Sequence, residues 1–166
     1  NKEIEKRLFS FDQSTLHTSL NKINFALFKM KPNIFSVSDS LKINEFKLNK
    51  KFDILITNPP FGKNKYKFAD EIKENFPMEF LKKINFTKEN HSIDPCELFL
   101  LKNLMLLKDG GVLGIILPDG LSKSNKIPEY INLFNSIYDD RVDLLAQISL
   151  PKETFSLTGT VALCSF

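Results

Sequence analysis

The sequence predicts an α/β domain built on a mainly parallel sheet. Short apolar runs alternate with helical patterns along most of the chain. The run at 112–117 is near-continuously apolar, as expected of a parallel strand covered on both faces. Polar stops at Asp12, Asp39 and Asn58 follow three of the runs, and in such sheets ligands bind beyond the carboxyl ends of the strands.

Residues 8–11 form a short apolar strand that stops at Asp12. Leu16, Leu20, Ile23 and Leu27 then recur at helical spacing, with Ser14 or Thr15 able to cap the helix. A second strand at 34–37 stops at Ser38-Asp39-Ser40. The run Phe52-Asp53-Ile54-Leu55-Ile56-Thr57 is a third strand, ended by Asn58-Pro59-Pro60 because proline cannot continue a ladder. Residues 62–92 follow no period. Their seven lysines are offset by five acids, so this stretch reads as an insertion or lid, solvated and partly helical.

The next helix opens with Asp94 as N-cap, Pro95 at the first helical position and Glu97 completing a capping box, and Gly110-Gly111 ends it. After the 112–117 strand, Pro118-Asp119-Gly120 makes a stop, a helix spans 128–138, and strands are expected at 144–150 and 160–166.

The chain of 166 residues, 42% hydrophobic, suits one globular domain, 1–166, and is short for two. No apolar run approaches the roughly 20 residues that span a bilayer. The charged start Asn1-Lys2-Glu3 has no signal-peptide stretch behind it, so a cytoplasmic protein without a membrane partner is expected. A start at Asn also fits a fragment or a trimmed chain. Cys96 and Cys164 lack ligand spacing and read as reduced, packed thiols. His17 and His91 have no metal-ligand partners at useful spacing, so no metal site is expected. A net charge of +3 allows a nucleic-acid partner without arguing for one.

Asn58-Pro59-Pro60-Phe61 is where chemistry is expected. The exocyclic amine of adenine is a poor nucleophile, because its lone pair is delocalised into the ring. Two acceptors gripping its hydrogens favour a more tetrahedral nitrogen, and the Asn58 side-chain oxygen with the Pro59 carbonyl could be those acceptors. Two prolines fix φ and remove donors, which preorganises the carbonyls. Phe61 is then free to stack on a base taken out of the duplex. The competing reading is a plain strand-ending turn with a packed phenylalanine.

The segment Phe52-Asp53-Ile54-Leu55-Ile56-Thr57-Asn58-Pro59-Pro60-Phe61-Gly62 resembles motif IV of the amino-methyltransferases, and especially the modification subunits of type I restriction systems. The resemblance extends to Phe11-Asp12 with its following helix, to Ser38-Asp39-Ser40-Leu41, to Leu106-Leu107-Lys108-Asp109-Gly110-Gly111, to Ile116-Leu117-Pro118-Asp119-Gly120 and to Leu150-Pro151 with Thr154-Phe155 and Gly159-Thr160. It implies a Rossmann-like methyltransferase fold that transfers a methyl group from S-adenosyl-L-methionine to N6 of adenine in DNA. It further implies that Asp12 accepts from the cofactor ribose, that Asp39 with Ser40 holds the cofactor's adenine end, and that separate specificity and restriction subunits act as partners. The lysines and aromatic residues of 62–92 could touch phosphates and flank the flipped base.

The family's Gly-rich cofactor loop and the first strand leading to it have no counterpart in these 166 residues. That strand is central in the family, so two sheet pieces with unpaired inner edges are expected, and weak or absent cofactor binding by this chain alone. The alternatives are an amino-methyltransferase acting on guanine N2 of ribosomal RNA or on a protein glutamine, and a catalytically silent binding or assembly module.

Overall fold

The computed structural model describes residues 7–31, 33–36, 40–42, 51–60, 74–83, 94–122, 124, 126–138, 142–151, 154 and 164–165. The strands among these described residues form three two-stranded sheets. The chain divides into two compact units, Asn1–Ile43 and Asn44–Phe166.

The first unit is one strand-helix-strand crossover. Strand β1 (Phe9–Asp12) lies parallel to β2 (Asn33–Ser36), with Phe9 opposite Asn33 and Asp12 opposite Ser36. Parallel neighbours need a crossover, and helix α1 (Thr15–Leu27) supplies it. Of the two candidate caps it is Ser14 that serves, in an extended conformation, its side chain accepting from the His17 N–H. The helix ends in a Schellman arrangement. Met30 N–H donates to the Phe25 carbonyl and Lys29 N–H to that of Ala26, each at 2.9 Å. Lys29 holds the left-handed φ of 54° that this ending requires. The apolar stripe of α1 is exposed along its length, from Leu20 at 48% to Leu27 at 75%.

In the second unit β3 (Phe52–Thr57) pairs in parallel with β4 (Leu107–Ile115), from Ile54 opposite Val112 to Thr57 opposite Ile115. Helix α2 (Met78–Lys83) and helix α3 (Pro95–Met105) lie between them in sequence. Beyond β4 come β5 (Leu117–Pro118), a single turn α4 (Asp119–Ser122), α5 (Lys126–Tyr138) and β6 (Cys164–Ser165), which pairs antiparallel with β5. A core cluster of Cys96, Leu100, Leu117, Leu121 and Ile127 is covered by Leu113, Ile115, Tyr130 and Ile131.

Four sequence expectations are corrected here. Gly110-Gly111 does not stop the helix: α3 is capped at Leu106, and both glycines lie within β4. They form an irregularity where the register of β4 on β3 shifts between Phe52 and Ile54. Gly110 takes φ +72°, and a Cβ on Gly111 would meet the Lys108 carbonyl at 2.8 Å and the Phe52 carbonyl at 3.1 Å. Strands β3 and β4 are also not covered on both faces, because Ile54, Ile56 and Val112 are exposed.

Residues 144–150 form no strand. Among the described residues no ladder includes them beyond a single bridge at Ser149, and an apolar run becomes a strand only where a neighbouring edge takes up its N–H and C=O groups. Finally, the described part of 62–92 is not a solvated insertion. Phe76, Phe80 and Leu81 are buried, and the buried Lys102 ammonium lies 5.5 Å from the centre of the Phe76 ring and 3.4 Å from the Asn75 carbonyl.

Candidate active site

In the second unit, β3 delivers Asn58-Pro59-Pro60 at its carboxyl end. The Thr57 carbonyl accepts from Ile116 N–H at 3.1 Å, so the loop leaves the sheet beside the carboxyl end of β4. The Pro59 ring is fully buried, whereas Asn58 and Pro60 are exposed. A side chain able to grip an incoming group is thus displayed on a backbone anchored at its neighbour.

Helix α3 closes the far side of that loop. The Cys96 thiol lies 3.6 Å from the Pro60 carbonyl, which accepts from it. The first turn of α3 is itself tightly held: Asp94 Oδ1 accepts from Cys96 N–H at 2.8 Å, and Pro95 stands at the first helical position. Glu97 does not complete a capping box as its spacing suggested. Its carboxylate is buried and spans to α5, with Oε1 2.6 Å from Lys126 Nζ and Oε2 accepting from the Tyr130 hydroxyl at 2.6 Å. Burial first, and then the hydrogen bond to Glu97, push the Tyr130 phenol above its ordinary range. Sequence reading missed this cluster and the thiol contact, since both join positions far apart in the chain.

In the first unit Asp12 ends β1. Its Oδ1 accepts from Ser14 N–H at 2.7 Å, and its Oδ2 faces His17 Nδ1 at 3.4 Å. A carboxylate has about four acceptor sites, so two such neighbours leave capacity for hydroxyl donors. Ser40 opens a short 3₁₀ turn, Ser40–Lys42, whose Leu41 is fully buried. Asp39 and Phe61 lie outside the described residues.

A family model for N-6 DNA methylases matches residues 1–164. The chain belongs to that family. None of the curated proteins compared matches this chain. Among solved structures, a chain from a type I R-M system, described for its complex assembly and conformational transition, superposes with a TM-score of 0.71. That match, at 21% identity, covers 99% of this chain and 30% of the other. A crystal structure from Listeria monocytogenes, assigned as a class I S-adenosylmethionine-dependent methyltransferase, gives a TM-score of 0.63 at 19% identity, over 95% of this chain and 42% of that one. The α/β fold with parallel strands is therefore that of the class I methyltransferases. The chain spans less than half the length of either relative. Among its described residues no helix is long and apolar enough to cross a membrane.

Proposed function

We propose that this methylase segment carries the amine-gripping part of an adenine-N6 DNA methyltransferase of the type I restriction-modification class. The observation that carries the reading is the Asn58-Pro59-Pro60 loop at the carboxyl end of β3, in a chain of the N-6 DNA methylase family. Asn58 is exposed on a loop whose neighbouring Thr57 carbonyl is hydrogen-bonded, so its amide oxygen can accept from an exocyclic amine. The Pro59 carbonyl is the second acceptor, Pro60 keeps the backbone rigid, and Phe61 stacks on the flipped base. A preorganised acceptor pair draws the nitrogen lone pair out of conjugation, which favours in-line transfer.

S-adenosyl-L-methionine supplies an electrophilic methyl group when bound. Asp12 accepts from its ribose hydroxyls, and Asp39 with Ser40 holds its adenine end. The open acceptor capacity of Asp12 supports the first role. The Gly-rich loop that would cradle the rest of the cofactor is not among these 166 residues. The likeness to a chain of a type I R-M assembly supports specificity and restriction subunits as partners.

The test uses the full-length protein with tritiated S-adenosylmethionine and unmodified DNA. Label is expected in N6-methyladenine and lost in Asn58→Ala. Label in ribosomal RNA or in protein glutamine moves the assignment to a sister activity. No transfer with an intact cofactor Kd favours a silent binding module.

A further inference from the structure

We propose that the first turn of α3 is a clamp for the motif loop, in which Cys96 is a positioning residue acting through the Pro60 carbonyl and Glu97 holds that turn in place. The inference rests on the reading of Asn58 and Pro59 as the amine acceptors.

Two consecutive prolines leave the loop without backbone donors at 59 and 60, so it cannot fix itself by its own N–H groups at those positions. Its direction then depends on what its carbonyls accept. Upstream, Ile116 N–H holds the Thr57 carbonyl at 3.1 Å. Downstream, the Cys96 thiol holds the Pro60 carbonyl at 3.6 Å. Asn58 and Pro59 lie between these two points, so a rotation of the Pro59 carbonyl away from a bound amine must break one of them.

A thiol is a weak donor, and it can orient a peptide only if its own place is fixed and water is kept away. Both conditions hold on the donor side, the Pro60 residue itself being exposed. Cys96 is 1% exposed, and its N–H is bound by the Asp94 carboxylate. The next residue, Glu97, ties the turn to α5 through two contacts of 2.6 Å, to Lys126 and Tyr130. The path therefore runs from α5 through Glu97 and Cys96 to the loop carbonyl. Alanine is smaller than cysteine and valine larger, and neither has a side-chain donor, so a loss shared by both is not one of packing.

The experiment compares Cys96→Val, Cys96→Ala, Cys96→Ser and Glu97→Gln in the full-length protein. Steady-state transfer to DNA, the equilibrium Kd for S-adenosylmethionine and the Raman S–H stretch are measured for each. Cys96→Val is expected to lower kcat roughly 3- to 10-fold, the range of one lost hydrogen bond, with the cofactor Kd unchanged. Cys96→Ala should match it, and Cys96→Ser should recover part of the loss because a hydroxyl can donate. The Cys96 S–H band, taken as wild type minus Cys96→Ala, should lie below that of an unbonded thiol, and Glu97→Gln should move it back.

Wild-type kcat in both Cys96→Val and Cys96→Ala overturns the proposal, as does an unshifted S–H band. The band reads the contact without turnover. If Asn58→Ala leaves adenine methylation intact, the reading of the acceptors fails whatever the Cys96 variants show.

Discussion

Removing either end of the Glu97–Lys126 pair should destabilise the protein unequally, and the direction follows from burial. The Glu97 side chain is 7% exposed and that of Lys126 is 52% exposed. Lys126→Met leaves a buried carboxylate with only the Tyr130 hydroxyl of its two contacts with α5. Breaking a fully buried pair costs about 3–5 kcal/mol, and because the ammonium here is half in water the figure is discounted to about 2–3 kcal/mol. Glu97→Leu instead removes the buried charge itself. The freed ammonium can turn to solvent, and the main loss is the acceptor of the Tyr130 hydroxyl, about 1 kcal/mol, partly offset by relieved desolvation. Urea titrations of both variants, followed by far-UV circular dichroism at neutral pH, should place Lys126→Met at the lower midpoint with unchanged slope. A Glu97→Leu variant that is the less stable of the two would refute this account of which charge bears the burial cost.

Other substitutions should have effects of predictable size. Gly111→Ala should cost about 1–3 kcal/mol, because a Cβ there runs into the Lys108 and Phe52 carbonyls, whereas Gly110→Ala meets no atom and should cost only the roughly 1 kcal/mol of its positive φ; urea midpoints separate them. Lys29→Gly should raise stability by about 0.5 kcal/mol, as glycine takes the left-handed position at the end of α1 without strain, and the unfolding midpoint reads it. Tyr130 keeps its proton in the folded state beyond the pH at which the unfolded chain loses it, about pH 10, so its contribution is complete below that pH and lost as pH rises further. Tyr130→Phe should therefore show a flatter alkaline decline in urea midpoint than wild type, and parallel declines would refute the assignment. Lys108→Ala breaks an ion pair with Asp53 at 2.9 Å that is open to water on both sides, and should shift the midpoint by less than about 0.5 kcal/mol.

Local chemistry made much of the fold legible. Asp94 and Pro95 start α3 where their capping preferences place them, Ser14 starts α1, and the prolines after Thr57 end β3, because each effect acts within a few residues. Asn58-Pro59-Pro60 was readable as a stiff strand-ending loop for the same reason: its fixed φ angles and missing donors are properties of adjacent residues. Where sequence reading failed, the missing quantity was a neighbour. The Gly110-Gly111 pair is as good a helix stop as a bulge until β3 is laid alongside it. The run at 144–150 is apolar, yet no described ladder receives it.

The sequence by itself determined the alternation of elements, the placement of the motif loop at a strand end and the membership of the N-6 DNA methylase family, which rests on residues 1–164. Only the tertiary structure decided that Glu97 turns from its own helix end to Lys126 and Tyr130, and that Cys96 reaches a carbonyl 36 positions earlier. Such contacts are set by how helices pack on a sheet, and two-residue spacing rules carry no information about partners that meet only after the chain has crossed over.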